Sequence, residues 1–138
     1  MQRFFRMACA ANGFLAVALG AFGAHGLKSH LAPLADAARR LEWWETASQY
    51  HLAHALALGL VASWAERTPS RGLRLAGNAF STGIVLFSGS LYAMTLSGQT
   101  GLGIVTPFGG AALLLGWGAL FVSAARGRAL EFGSAPTR

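Results

Sequence analysis

The chain has 138 residues, of which 54% are hydrophobic and 12% charged, about half the ~25% charged share of ordinary globular domains. That length permits one domain, but so few charges cannot coat a water-facing surface. The net charge of +6 comes from Lys and Arg set in short clusters between apolar runs rather than in one stripe. This pattern argues against nucleic acid as a partner and leaves anionic lipid headgroups as sufficient partners for the cations.

A spanning helix needs about 20 mainly apolar residues, at ~1.5 Å each, to cross a ~30 Å hydrocarbon layer. Four segments qualify: residues 7–27, 47–65, 75–96 and 102–125. The expected fold is therefore all-α: a single membrane domain over residues 1–138, folded as an up-down-up-down four-helix bundle.

The first span follows Arg3 and Arg6, as the apolar core of a secretory signal peptide would. It is long for such a core, and its small residues run past any plausible cleavage point, which favours a spanning helix. The lone Cys9 sits inside it, so no intramolecular disulfide or thiol pair can form, and it reads as a small apolar filler. Ala16, Gly20 and Ala24 recur four apart, with Gly23 beside them.

In the first loop, Pro33 suits a helix start, and Leu34, Ala38, Leu41 and Trp44 recur at helical spacing opposite Asp36, Arg39, Arg40 and Glu42. Asp36 and Arg40 form a favourable i,i+4 pair. This predicts an amphipathic helix over 33–46 on the outer interface, with Trp43 and Trp44 at headgroup depth. No Gly or Pro separates it from the second span, so two helices and one bent helix remain alternatives.

The second span carries Ala47, His51, Ala55, Gly59 and Ser63 four apart. Pro69 breaks the chain before the third span, which holds Ala79 and Gly83, and residues 97–101 are too short for anything but an antiparallel hairpin. Pro107 is expected to start the fourth helix, in which Ala112 and Gly116 repeat the small-residue spacing. Such stripes let helix backbones approach closely, a main source of packing energy where lipid competes equally for apolar side chains. Gly20, Gly23, Gly59, Gly83 and Gly116 are the expected packing positions, and Leu at Gly20 or Gly59 is expected to weaken assembly.

Orientation follows the basic residues near the spans. Arg3, Arg6, Arg67, Arg71, Arg74, Arg126, Arg128 and Arg138 fall on one side, and Lys28, Arg39 and Arg40 on the other. That excess places both termini in the cytoplasm of a cell with this protein in its inner membrane.

No carboxylate lies in a span, which argues against a proton-driven exporter, and Walker, Rossmann and HExxH patterns are absent. Gly101 and Gly103 read as turn residues and Gly109 and Gly110 as a helix face. The topology instead gathers polar groups in the outer half: His25, Tyr50, His54, Ser88, Tyr92 and Thr106. In a structural reading, His54, Tyr50 and Ser88 hydrogen-bond across helices. In a functional one, the cluster holds a proton, a small polar ligand, or a metal or haem, with His25 and His54 as imidazole ligands. The structural reading leads, because no Cys or carboxylate sits at a ligand spacing. Tyr50 and His54 share a face, His51 points toward the small-residue stripe, His30 is a solvated loop residue, and Asn12 and Asn78 are expected to bond between helices.

Four blocks in order complete the pattern: Gly20-Ala-Phe-Gly-Ala-His25; Trp44 with Thr46, Tyr50 and His54-Ala-Leu; Leu86-Phe-Ser-Gly-Ser-Leu-Tyr92; and Thr106-Pro-Phe-Gly-Gly110 leading to Gly116-Trp117. Together they resemble the YgdD-like family of small bacterial inner-membrane proteins of unknown function, which has a eukaryotic transmembrane relative. The resemblance covers residues 13–117 and implies a four-helix membrane protein with no activity, cofactor or metal to carry over. It includes His25, Tyr50, His54, Ser88 and Tyr92, but His30 and His51 match it less well. The expected function is thus non-enzymatic, exerted in the lipid bilayer by packing against a second copy or another membrane protein. The alternative is a ligand, proton, metal or haem site centred on His25, Tyr50 and His54.

Overall fold

The computed structural model describes residues 2–133, with side chains through Arg126. Arg138 lies outside the described residues, as do the side chains of Arg128 and Glu131. The described chain is all-helical and forms four long helices. We number them α1 (Gln2–Leu31), α2 (Ala37–Arg67), α3 (Arg71–Ser97) and α4 (Thr106–Gly133). By length and apolar composition, α1, α3 and the Thr100–Arg126 stretch can cross a membrane. The remaining helix, α2, carries Arg39, Arg40, Glu42, Glu45, Gln49, His51 and His54 and is less apolar.

Each helix packs along the next in the chain, α1 on α2, α2 on α3 and α3 on α4. One core joins all four, with Phe5 of α1, Leu58 and Val61 of α2, Phe80 and Ile84 of α3, and Leu113 and Leu120 of α4 buried together. A second cluster joins Leu27 and Leu31 of α1 to Trp44 of α2. Enclosed on both sides, α2 buries residues at three- and four-residue spacing from Trp44 through His51, Leu58 and Ala62 to Ala65.

The helix boundaries have local causes. α1 stays helical through Leu31, so the chain must reverse within residues 32–36 and Pro33 is taken into that turn. The Leu34 amide donates to the Leu31 carbonyl, and α2 starts at Ala37, four residues later than the Pro33 signal suggested. From Ala37 to Arg67 the helix is unbroken, so the amphipathic stretch and the second apolar stretch form one element. Pro69 forces Thr68 out of helical geometry, and Ser70 then caps α3 by accepting the Leu73 amide at 3.2 Å. α3 ends on Gly98, whose φ of +73° closes the last turn through a bond to the Met94 carbonyl. A 3-10 turn, Thr100–Ile104, leads into α4, with Pro107 in its first turn as the sequence suggested. Two π turns interrupt the long helices, Gly23–Leu27 in α1 and Ile84–Ser88 in α3.

Candidate functional site

α2 supplies both buried histidines. The indole N–H of Trp117 in α4 can only donate, and it reaches His54 Nε2 at 3.1 Å. Nε2 is therefore the acceptor, and His54 Nδ1 carries the proton it donates to the Tyr50 carbonyl at 2.7 Å. Both ring nitrogens are thus engaged in the neutral imidazole. Around it stand the rings of Tyr50, Phe80 and Trp117, with centroids 5.8, 5.6 and 6.1 Å away.

His51, one turn earlier, faces α1. Asn12 donates its amide N–H to the Ala8 carbonyl at 2.8 Å, which leaves its Oδ1 to accept from His51 Nε2 at 3.0 Å. His51 Nδ1 then accepts from the Tyr92 hydroxyl of α3 at 3.5 Å. The two histidines hold opposite tautomers, and each ties α2 to other helices. His51 matched the family blocks poorly, yet its place on the small-residue stripe was the signal that it is buried against α1.

Toward the first loop, Trp44 donates its indole N–H to the Leu19 carbonyl at 2.8 Å and packs edge-on against Tyr92 at 4.5 Å. Arg40 donates through Nε to Asp36 Oδ2 at 2.9 Å and through Nη1 to the Thr95 carbonyl at 3.3 Å. The Thr95 hydroxyl is in reach of the Arg40 carbonyl at 3.0 Å and the Leu91 carbonyl at 2.9 Å. The Arg40 guanidinium, through its hydrogen bond and charge, holds the Asp36 carboxyl below its ordinary value of 3.8.

The six polar residues singled out in the sequence fall into separate places. His25 is exposed in the π turn of α1, where its carbonyl accepts from the Ser29 hydroxyl. Tyr50 is 45% exposed and serves His54 with its carbonyl, while its ring lies 4.5 Å from Phe87. Tyr92 belongs with His51, and Thr106 with Ser90, their hydroxyls 2.8 Å apart. Ser88, at 1% exposure, has no hydrogen-bond partner for its Oγ among the described residues. Asn78 is exposed, unlike Asn12.

The five packing glycines face the chain's own helices. A Cβ at Gly20 would stand 3.0 Å from Ser48 Oγ, and one at Gly59 2.9 Å from Cys9 Sγ. Gly23 abuts Trp44, Gly83 abuts Leu113 and Gly116 abuts Phe80. Further close approaches escaped the spacing rule: Gly72 against Ser123, Gly77 against Phe5, Gly98 against Arg40, and Gly109 against the backbone of Phe87. Among the described residues, no group of three or more His, Cys, Asp or Glu is placed to hold a metal.

Comparison with known proteins places this arrangement. Residues 19–110 match the family described as "Protein of unknown function (DUF423)". The chain belongs to that family. It is similar to the UPF0382 membrane protein YwdK of Bacillus subtilis, 42% identical over 118 residues, covering 85% of this chain and 92% of the relative. It is also similar to the UPF0382 inner membrane protein YgdD of Escherichia coli, 38% identical over 125 residues, covering 91% of this chain and 92% of the relative. No solved structure matches the chain. The DUF423 chain is thus a membrane protein, as the resemblance implied. The matched DUF423 segment contains His51, His54, Ser88, Tyr92 and Thr106, whereas Asn12 and Trp117, which bond to the Nε2 atoms of His51 and His54, lie on either side of it.

Proposed function

We propose that this DUF423 protein is a non-enzymatic membrane unit of four spanning helices, with both termini cytoplasmic, that acts through contacts of its outer surface with other membrane proteins or a second copy. The observation that carries this reading is the use of His54: with Nδ1 donating to Tyr50 and Nε2 accepting from Trp117, neither nitrogen offers a lone pair to a metal or haem. His51 is likewise engaged with Asn12 and Tyr92.

A spanning α2 is consistent with its modest hydropathy, because its histidines bond to neighbouring helices and are shielded from lipid. The first helical stretch of α2 supports an outer interfacial position for Trp43, over whose ring Arg39 lies at 5.8 Å. The small-residue stripes are spent on internal packing. What remains outward is large and apolar, including Phe14 and Val17 of α1 and Leu114 and Phe121 of α4.

Native mass spectrometry and optical absorption of the detergent-purified protein test the assignment. The expected result is a colourless protein without stoichiometric metal or haem, and a bound metal or haem lost in His54→Ala would overturn it. Tags at the two termini are expected to be inaccessible from outside intact cells, and surface labelling of either would reverse the orientation.

A further inference from the structure

The charges divide sharply between the two ends of the molecule. At the end formed by the start of α1, the end of α2 and the start of α3 stand Arg3, Arg6, Arg67, Arg71 and Arg74. The carboxylate among them, Glu66, is taken by an ion pair with Arg6. At the opposite end Lys28, Arg39 and Arg40 are matched by Asp36, Glu42 and Glu45. One end is therefore strongly cationic and the other near neutral.

The cations around the α2–α3 turn are held facing outward. Leu73, Ala76 and Gly77 form the buried side of α3, and Gly72 sits against Ser123 of α4, so Arg71 and Arg74 take the exposed side. Pro69 and the Ser70 cap fix the turn that sets them beside Arg67. No carboxylate among the described residues pairs with Arg67, Arg71 or Arg74. Along the last turns of α2, reaching this turn at Arg67, lies an open hollow of about 330 Å³ lined by Leu60, Ser63, Trp64, Glu66 and Arg67. Its floor is apolar and its rim is charged.

We propose that this turn is a binding site for an anionic phospholipid, with the headgroup phosphate against Arg67, Arg71 and Arg74 and an acyl chain along Leu60 and Trp64. Arginine forks suit phosphate oxygens, and an indole suits the boundary between headgroup and hydrocarbon. An apolar floor beside a rim where Glu66 is taken by Arg6 and Arg67 is left to bind matches a lipid better than a free anion, which would gain nothing from Leu60. The proposal rests on membrane residence and not on the orientation or the non-enzymatic role, so its failure leaves those tests untouched.

The test is native mass spectrometry of the full chain released from detergent micelles containing phosphatidylglycerol or phosphatidylcholine with the same acyl chains. The wild-type protein is expected to retain phosphatidylglycerol preferentially, and less of it at high salt. Each neutralised arginine is expected to weaken retention about fivefold, so the Arg67→Gln, Arg71→Gln, Arg74→Gln triple variant loses about a hundredfold. Arg39→Gln, at the opposite end, is expected to change nothing. Equal retention of both lipids by the wild type would overturn the proposal without any variant, as would wild-type retention by a triple variant of unchanged helical circular dichroism. Binding of a polyglutamate peptide without retention of phosphatidylglycerol would assign the surface to an acidic protein and overturn it too.

Discussion

Replacing Trp117 with Phe removes one N–H donor while keeping a ring against Phe80, whose centroid is 5.2 Å from that of Trp117. The change leaves His54 Nε2 buried and without a partner. An unpaired buried acceptor costs ~1–3 kcal/mol in soluble proteins, but interhelical bonds in a membrane average ~0.6 and reach ~1.7 kcal/mol. We therefore expect Trp117→Phe to destabilise the protein by about 1–2 kcal/mol. His54→Leu removes the acceptor and keeps most of the apolar contact, leaving the Trp117 N–H, on a side chain 46% exposed, to find another partner. The double variant should cost less than the sum of the two, with a coupling of about 0.6–1.7 kcal/mol. Reversible unfolding in mixed micelles measures all four corners of the cycle. A coupling below about 0.3 kcal/mol would show that the α2–α4 bond contributes nothing, and nitrogen NMR placing the His54 proton on Nε2 would refute the tautomer from which the argument starts.

Gly109→Ala should destabilise by about 1–3 kcal/mol, because its Cβ would stand 2.7 Å from the Leu86 carbonyl carbon, a backbone atom that cannot swing away. Gly118→Ala on the same helix meets open space and should be neutral or mildly stabilising in the same unfolding assay. Ser88→Ala should stabilise by about 1 kcal/mol, since it deletes a buried hydroxyl without a partner; thermal unfolding that shows a loss would mean the hydroxyl is bonded. Because the Asp36 pKa is lowered in the folded protein, its contribution is present above the unfolded carboxyl value near 3.8 and is lost as pH falls through the lower folded value. Asp36→Asn should therefore flatten the acid limb of the stability profile below about pH 4, and an unchanged limb would remove Asp36 from its cause.

The helices and most of their packing were legible because apolar length and small-residue spacing are local properties of the chain. A Cβ at Gly20, Gly23, Gly59, Gly83 or Gly116 would meet a side chain of a neighbouring helix. Gly109 was read only as part of a helix face, because its role depends on where the π turn of α3 carries the Phe87 backbone, which no period in α4 encodes. The polar residues were harder for the same reason. Topology assigned them to one half of the molecule but could not rank their directions, so His25 was grouped with His54 although it is exposed, and Trp117 was recognised as part of a family block without a bonding role. The start of α2 was displaced because Pro33 suits a helix start and a tight turn equally. The continuation of α1 to Leu31 is what decides between them.

The least apolar helix has neighbours on both sides, and the two facts explain each other. Two histidines on a helix facing lipid would each leave polar nitrogens without partners. On α2, the carbonyl of Tyr50 and side chains from α1, α3 and α4 satisfy them. Those bonds need α2 at one rotation and one depth, because His51 and His54 are three residues apart and reach partners on different helices. The small residues at Gly20, Gly59 and Ala47 then let the flanking helices come close enough for the bonds to form. Small-residue stripe and polar pair are thus one device for setting register, both used up inside the molecule. Substitutions at Gly20 or Gly59 should therefore first weaken the fold of the single chain, read as lower thermal stability of the monomer in detergent.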